Sequence, residues 1–351
     1  MTPNPDYNRL LVALRRGQAD RVPLLELIVD PEIKEAYLGK PIISVTEDLE
    51  FWRMAGYDCA TVYPASPSIW FYNPTRQVTI IDDDSSGTGK RRWASEGRGL
   101  IQGWADLERY PLPGIDDIDF SYFDVASKIL PEGMGLLGAW GDIFTYTWEA
   151  MGFESFSIAL YEQEDLVAEI FRQLGNLAVS IYERLVAYDS IKALWYSDDL
   201  AYKTGLLVAP RIYQKYLFPW VKKIGDICHR SNRPLIFHSD GFLWNVIPAL
   251  IDCGVDALQP IEPQVMDIRE VKKRYGQYLC VVGNVDVDTL TSGTPDEIRH
   301  IIHSLLRDVA PGGGYCLGSG NTVPNYSQLE NYKTMLSEAL KYGRYPIDLQ
   351  E

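Results

Sequence analysis

Short apolar runs alternate with longer amphipathic segments along most of the chain. In the middle of the chain, an apolar run at 234–237 stops at His238. An amphipathic segment at 243–251 separates it from a second apolar run, at 257–258, which ends at Gln259. This pattern predicts strand, helix and strand, because parallel neighbouring strands need a crossover connection. The polar residues that end each run are then expected at the sheet edge where ligands bind.

The same unit repeats, and eight short apolar runs are predicted to be strands. They lie at 24–29, 60–63, 135–139, 193–196, 234–237, 257–258, 278–282 and 314–317. The segment 163–186 is the clearest helix, because its apolar residues recur with a 3.6-residue period over several turns. Further helices are predicted at 8–16, 31–52, 122–129, 210–228, 243–251, 295–309 and 329–342. Eight strands, most followed by a helix, predict an α/β fold, a (β/α)8 TIM barrel that forms a single domain over residues 1–351.

A doubly wound open sheet is the alternative fold. It is disfavoured because the turn after the first run, at 30–33, has no glycine fingerprint for a dinucleotide, and because no Walker-type loop occurs.

The segment 77–103 differs from the repeating strand and helix pattern, since two strand-like stretches lie on either side of the turn 84–89, Asp-Ser-Ser-Gly-Thr-Gly. Such a turn is typical of a hairpin, so we predict a β-hairpin insertion at 77–103 after the second strand.

Composition narrows the class of protein. A formal net charge of −15 argues against a nucleic-acid partner or an anionic membrane surface, since phosphate binding draws on clustered Lys and Arg. No apolar run approaches the ~20 residues that span a bilayer, and residues 1–7 are polar and lack the apolar core of a signal peptide. The five cysteines are scattered, and their odd number fits reduced thiols. The sequence therefore predicts a soluble, cytoplasmic protein.

Acidic, other polar and aromatic residues collect where the predicted strands end. They are Glu26, Asp30, Tyr63, Trp140, Asp142, Asp198, Asp199, His238, Asp240, Gln259, Glu262, Asn284, Asp286, Ser319 and Asn321. Each alone could merely cap a helix or form a turn. Together they place many carboxylates on one rim, which is costly unless a metal, a cationic or polar substrate, or a raised carboxylate pKa compensates. His238 is the sharpest candidate because it follows four apolar residues, whereas the other three histidines fall in predicted helices.

Five segments carry a family resemblance. They are SDDLAYKTG (197–205), LIFHSDG (235–241), DALQPIEP (256–263), VGNVDVDTL (282–290) and PGGGYCLGSGNTVP (311–324). With these motifs the chain resembles the uroporphyrinogen decarboxylase superfamily, and within it the corrinoid-dependent methyltransferases. The resemblance implies a (β/α)8 barrel with its active site at the carboxyl ends of the strands.

The chain departs from the true decarboxylases where those enzymes bind their substrate. They have N-terminal arginines that bind the substrate carboxylates and an aspartate that contacts the pyrroles. In this chain the stretch that matches the arginine segment, 23–31, contains no arginine, and the stretch that matches the aspartate segment, 60–66, contains no aspartate. A polycarboxylate porphyrinogen would meet carboxylates without paired guanidinium groups. Decarboxylation of uroporphyrinogen is therefore not expected.

The chain also departs from the methyltransferases that act on thiols. Those enzymes hold zinc with a His-x-Cys pair and a later Cys, whereas this chain has His238 followed by Asp240, and Asn321 at the later position. Loss of both soft ligands weakens zinc binding. Three explanations stay open: a zinc or other divalent metal held by His238, Asp240 and a neighbour such as Glu262 or Asp198; an acid/base pair of His238 and Asp240 without metal; or a site that only binds.

The resemblance implies methyl transfer between a small molecule and a corrinoid that arrives on a separate carrier protein. The small molecule would be a methoxyaromatic or methylamine-type donor, or a folate or thiol acceptor. We predict a catalytic set of His238, Asp240, Asp198 and Glu262. We predict that the substrate contacts Glu26, Tyr63, Trp140, Asp199, Tyr202, Gln259, Asn284 and Asn321. The alternatives are a decarboxylase or other lyase of a small acid and, less favoured, a non-catalytic binding protein; the resemblance also allows a homodimer.

Overall fold

The computed structural model describes residues 4–65, 99–109 and 112–349. Its main sheet contains seven parallel strands in the order β1-β2-β3-β6-β7-β8-β9. They are β1 Cys59–Val62, β2 Gly135–Gly141, β3 Ile191–Ser197, β6 Leu235–His238, β7 Ala257–Gln259, β8 Cys280–Val282 and β9 Tyr315–Cys316. Two short strands, β4 Ala201–Tyr202 and β5 Gly205–Leu206, form a separate antiparallel ladder after β3.

Helices follow or precede each strand. They are α1 Tyr7–Leu14, α2 Pro31–Leu38, α3 Val45–Met54, α4 Trp104–Arg109, α5 Ser121–Ile129, α6 Ile143–Met151, α7 Phe153–Glu162, α8 Glu164–Leu185, α9 Pro210–Ile212, α10 Phe218–Arg230, α11 Ile247–Asp252, α12 Ile268–Tyr275, α13 Val287–Ser292, α14 Pro295–Asp308 and α15 Leu329–Tyr342. A 3₁₀ turn at Ile115–Asp117 and a π turn at Tyr213–Leu217 complete the regular structure.

The eighth side of the barrel is the segment 24–29, which is the first predicted strand. It forms single parallel bridges from Leu24 to Leu317 and from Val29 to Val323, rather than a continuous strand. On its other side, the Thr61 hydroxyl donates to the Glu26 carbonyl oxygen at 2.7 Å. The segment thus closes the sheet between β9 and β1, and the predicted (β/α)8 barrel is confirmed.

Two predicted helices are longer than the helices in the structure. The segment 31–52 contains α2 and α3 rather than one helix, because Gly39 ends α2 in the left-handed conformation, at φ 68°, and Ser44 caps α3. The segment 243–251 becomes helical only at α11, with a proline in its first turn. Helix α8 was predicted to within one residue at each end, since its apolar face is long and regular.

Two apolar clusters separate the inside of the barrel from its outside. The inner cluster is made of alternate strand residues such as Leu137, Ala139 and Trp195, and it fills the lumen. Helix α1 adds Leu10, Ala13 and Leu14 to this cluster, so it covers the end where the strands begin. The outer cluster lies between the sheet and the helices. The open end of the barrel is therefore the end where the strands finish, which we call the mouth.

A buried ion-pair group ties the lower end together. Asp58, which immediately precedes β1, is fully buried and contacts the guanidinium groups of Arg9 and Arg21. Arg21 also donates to the Gly56 carbonyl oxygen at 3.1 Å, and Arg9 pairs with Asp20 at 2.5 Å. The group joins α1, the first barrel segment and β1.

The predicted hairpin insertion at 77–103 lies almost entirely outside the described residues, so it stays a prediction. Within the described ranges, no helix combines the length and the apolar character needed to cross a membrane.

Candidate functional site

Three neighbouring strands end in polar residues at the same height. Ser197 of β3 pairs in register with His238 of β6, and His238 pairs with Gln259 of β7. Two residues earlier in each strand, Trp195, Ile236 and Ala257 belong to the inner cluster. Because side chains alternate along a strand, Ser197, His238 and Gln259 also face the lumen. They form the top layer of the barrel interior.

His238 is held by its neighbour in this layer. Its Nδ1 lies 2.5 Å from Oε1 of Gln259, and Nε2 of the same amide donates to the Asn321 carbonyl oxygen at 2.7 Å. Gln259 is fully buried and His238 is 7% exposed, so solvent hardly competes for these bonds. The imidazole is therefore fixed in orientation.

Asp240 lies beside His238 and carries an unsatisfied oxygen. The Asn321 amide donates to Oδ2 at 2.5 Å, whereas the buried Oδ1 has no hydrogen-bond partner among the described residues. Burial is the main cause that raises the pKa of Asp240 to about 6, and Asp199 and Glu262 raise it further, while His238 opposes the shift. This carboxyl can therefore bind or release a proton near neutral pH.

Asp199 completes a cluster with these two residues. One ligand atom from each of Asp199, His238 and Asp240 lies within 4.8 Å of the others. Oδ1 of Asp199 is 3.8 Å from Nε2 of His238, and its side chain is 54% exposed at the mouth. One imidazole nitrogen and two carboxylates form a donor set that divalent cations accept, and Oδ1 of Asp240 has no hydrogen-bond partner among the described residues. The cluster fits a divalent metal, with Asp199 where we had expected Glu262 or Asp198.

Asp198 points away from this cluster although it is the adjacent residue. It is fully buried, and its two oxygens accept bonds from the Phe144 and Thr145 amides, the Thr145 hydroxyl and the Tyr196 hydroxyl, at 2.8–2.9 Å. Burial nevertheless raises the pKa of Asp198 to about 6. Asp198 thus holds the start of α6, which has no side-chain cap of its own. Its expected catalytic role stays a prediction, and the contacts seen are structural.

Glu262 and Tyr202 lie on the rim of the mouth. Glu262 accepts a bond from the Gly241 amide at 3.0 Å and lies 3.7 Å from the Lys203 ammonium group. Glu262 and Lys203 line a cavity of about 210 Å³ at the rim, next to Asp240. Tyr202, on β4, is 63% exposed, and its backbone carbonyl oxygen accepts a bond from the loop after β6. Glu262 and Asp240 therefore line the same cavity, whereas the side chain of Tyr202 is mostly exposed to solvent.

Glu26 does not face the mouth, contrary to our expectation. Its neighbours Leu25 and Leu27 belong to the inner cluster, so Glu26 points to the outside of the sheet, where it is fully buried. Its carboxyl accepts 2.6 Å bonds from the amide and hydroxyl of Ser319. Burial without a countercharge raises the pKa of Glu26 to about 8. Glu26 therefore stabilises the barrel seam as a neutral acid and is not placed to bind a substrate in the lumen.

Trp140 was also expected at the mouth, and it too faces outwards. The preceding Ala139 belongs to the inner cluster, whereas Trp140 belongs to the outer one. Tyr63 packs against the inner cluster, and burial raises the pKa of its hydroxyl. Asn284 is 7% exposed, and its side-chain amide donates to the Ile261 carbonyl oxygen at 3.0 Å. Tyr63 therefore lies against the inner cluster, as expected of a residue at the mouth, whereas Trp140 does not.

Asp142 was expected at the rim without a stated role, and Tyr146 was not expected at the site. Asp142 follows β2 in the left-handed conformation, at φ 67°, and precedes α6. Burial, together with the charges of Asp198 and Asp199, raises its pKa well above the usual range, while a bond from Tyr146 opposes the shift. The Gly-Asp pair at the end of a predicted strand was a signal for Asp142, whereas nothing in the sequence pattern distinguished Tyr146 from a core aromatic residue.

Comparison with known proteins agrees with this architecture. The sequence profile described as "Uroporphyrinogen decarboxylase (URO-D)" matches residues 101–342. A uroporphyrinogen decarboxylase from Neisseria meningitidis is 23% identical over 279 residues, which cover 74% of this chain and 75% of that protein. One from Pseudoalteromonas translucida is 29% identical over 155 residues, 43% of this chain and 42% of that protein.

A solved structure shares the fold. It is a methyltransferase from Methanosarcina mazei, with a TM-score of 0.71, 16% sequence identity, and coverage of 95% of this chain and 98% of that chain. At this identity the likeness concerns the fold, a barrel whose strands end at a common mouth. The profile match covers more than half of the sequence and includes β2 to β9 with the cluster at their ends. The chain belongs to the uroporphyrinogen decarboxylase family.

Proposed function

We propose that this protein is a corrinoid-dependent methyltransferase. It would move a methyl group between a small molecule in the lumen and a corrinoid carried by a partner protein. The small molecule would be a methoxyaromatic or methylamine-type donor, or a folate or thiol acceptor. The observation that supports this best is the cluster of Asp199, His238 and Asp240 at the mouth, where proton transfer and metal binding are both available.

The residues of the cluster suit the proton balance of methyl transfer. When a methyl group leaves an oxygen or nitrogen, the leaving atom keeps the electron pair of the broken bond and takes up a proton. Asp240, with its pKa of about 6 and an unpaired Oδ1, can hold that proton near neutral pH. In the opposite direction, His238 can accept the proton of an acceptor group as its nucleophilic atom forms the new bond to carbon.

A divalent cation is the alternative use of the same three residues, because His238 and Asp240 cannot bind a cation and transfer a proton with the same lone pairs. Asp199, His238 and Asp240 would hold it. When bound, such an ion supplies a positive charge that lowers the pKa of a coordinated group. The corrinoid supplies the cobalt atom that takes or gives the methyl group. Because the ligand oxygens are hard, the site should favour cations such as Mn²⁺ or Fe²⁺ more than the sulfur-rich zinc sites of the thiol methyltransferases do.

Porphyrinogen decarboxylation is the competing function, supported by the distant relatives of that name. It needs cations for the substrate carboxylates. Arg21 is buried at the opposite end of the barrel against Asp58, so it cannot serve this purpose. Lys203 is at the rim, but it already lies beside Glu262 and Gln264. These contacts favour methyl transfer over decarboxylation of a polycarboxylate, and they leave a lyase of a small acid as the alternative.

The test follows the visible spectrum of a corrinoid in both directions. One mixture contains cob(I)alamin with a panel of methoxyaromatics and methylamines, and the other contains methylcobalamin with thiols or tetrahydrofolate. Each is run with the wild type, with His238→Ala, and with His229→Ala as a matched control. His229, on α10, is 46% exposed and pairs with Asp256, which precedes β7 at the end opposite the mouth, so its loss should not affect turnover.

Conversion that requires His238 but not His229 would support the proposal, and the productive mixture would identify the half-reaction. If no mixture changes, even with a corrinoid carrier protein supplied, the methyltransferase proposal is wrong. Release of carbon dioxide from a panel of small acids would then support the lyase. Tight ligand binding without any turnover would instead indicate a binding protein.

A further inference from the structure

Two amide side chains connect His238 to Asp240. The Asn321 backbone carbonyl can only accept, so the Gln259 atom that lies 2.7 Å from it is the amide nitrogen. The carbonyl oxygen of the same amide, which also only accepts, therefore faces His238 Nδ1 at 2.5 Å. Nδ1 must carry the proton of this bond, and Nε2 of the neutral ring keeps its lone pair.

The same reasoning applies to Asp240. An ionised carboxylate only accepts, so the Asn321 side chain turns its nitrogen to Oδ2, at 2.5 Å. That bond leaves Oδ1 as the unpaired oxygen. Nε2 of His238 lies on the side of Asp199, with which it forms the three-residue cluster. The two amides thus leave one acceptor atom on each of the two groups free.

We propose that Gln259 and Asn321 are positioning residues for this site. Gln259 fixes His238 in its Nδ1–H tautomer, and Asn321 holds the carboxyl of Asp240 in place. Together they present two lone pairs, from Nε2 and Oδ1, to a substrate or a cation in the lumen. Asn321 has this task although it stands where the thiol methyltransferases have a cysteine ligand. The effect on turnover rests on the proposed function, whereas the tautomer does not.

The tautomer can be measured without any turnover. The chain has four histidines, so ¹⁵N-histidine labelling gives four pairs of ring nitrogen signals, and His238→Ala identifies those of His238. In the wild type we expect a protonated Nδ1 and an unprotonated Nε2. Gln259→Leu should convert these signals to those of a mixture of tautomers. Asn321→Ala should leave the tautomer unchanged, because it keeps the backbone carbonyl that orients Gln259.

Two further variants separate positioning from general disruption. Gln259→Glu keeps an acceptor next to Nδ1, so Nδ1 should stay protonated in this variant. Gln264, in the loop after β7, bonds to Lys203 and Asp286 but not to His238, so Gln264→Leu should leave the His238 signals in place. Circular dichroism establishes that each variant is folded, and if Gln259→Leu does not fold, the wild-type and Gln259→Glu spectra decide.

Turnover provides the second readout. Loss of an outer partner at such a site costs about 10–100-fold, so kcat for Gln259→Leu should fall by this factor, with a smaller change in KM. A wild-type spectrum with the proton on Nε2, or a Gln259→Leu spectrum identical to the wild type, would overturn the proposal. A protein with the expected tautomer but without methyl transfer would reject the proposed function alone.

Discussion

Adjacent aspartates at the end of β3 have opposite surroundings. Asp198 is fully buried and accepts four hydrogen bonds, whereas Asp199 is exposed at the mouth next to His238. The sequence Ser-Asp-Asp identified the pair as candidates but could not say which carboxylate would face the lumen. That choice depends on where the strand ends and the chain turns, which is at Ser197. Asp198 was consequently expected to be catalytic, and Asp199 only to bind substrate.

The two aspartates should differ when each is replaced by alanine. Asp198→Ala leaves the amides at the start of α6 without partners, so we expect a loss of about 2–4 kcal/mol in the free energy of unfolding. Asp199→Ala should change stability by less than about 0.5 kcal/mol, because the side chain is largely exposed. It should instead weaken Mn²⁺ binding by about tenfold or more. Urea denaturation and calorimetric titration with Mn²⁺ measure the two effects, and equal stability losses would contradict this assignment.

The buried Glu26 predicts a pH dependence of stability. Its pKa is about 8 in the folded chain and about 4.3 in an unfolded one, so the unfolded chain releases the proton first as the pH rises. The contribution of Glu26 is therefore fully present below about pH 4.3 and is lost as the pH rises towards 8.

Glu26→Gln keeps the bonds to Ser319 without a titratable group. Relative to the wild type, this variant should gain several kcal/mol between pH 5 and pH 8, by roughly 1.4 kcal/mol per pH unit. Urea denaturation at each pH measures the difference. Parallel stability profiles of the two proteins would show that Glu26 is ionised in the fold.

At the scale of elements, the sequence predicts the barrel well and the faces of its strands poorly. Strands of a parallel barrel are covered on both sides, so they appear as continuous apolar runs without alternation. The run Leu-Leu-Glu-Leu-Ile-Val at 24–29 therefore gave no sign that Glu26 points outwards, and the same holds for Trp140 in β2. Seven of the eight predicted strands lie in the main sheet and the segment 24–29 forms only single bridges; these runs could be recognised because each is bounded by polar residues and by a helical period.

The approach of β2 to β3 depends on a glycine. A Cβ atom at Gly141 would lie 1.8 Å from the Ser197 carbonyl oxygen, closer than any side chain allows. Gly141→Ala should therefore lower the free energy of unfolding by more than about 2 kcal/mol and disturb the mouth. Gly103→Ala is the matched control, since a Cβ there meets no atom within 4 Å. Thermal or urea denaturation of both variants checks this, and similar stability would mean that the two strands separate easily.

At the scale of the whole molecule, the two ends of the barrel have different tasks. The lower end contains the ion-pair group of Asp58 with Arg9 and Arg21, and the mouth contains the candidate site. Asp58→Asn removes one partner of a buried charge group and should lower the free energy of unfolding by about 3–5 kcal/mol.

The folded fraction of Asp58→Asn should keep the turnover of the wild type, because the group is remote from the mouth. Denaturation curves and the specific activity of the folded fraction provide the two measurements. A loss of activity without a loss of stability would show that the two ends are coupled.

Helix α1 packs Leu10, Ala13 and Leu14 against the lower end of the inner cluster, so this end of the barrel is closed. A methyl donor or acceptor of the proposed kind would have to enter the site, and its product to leave it, through the mouth. Under the proposed function, the carrier protein must approach the same opening with its corrinoid and would cover whatever lies beneath. The order of arrival then decides the outcome of an encounter: a substrate already inside reacts, and a later one waits. An excess of carrier protein should therefore slow turnover when the small substrate is scarce.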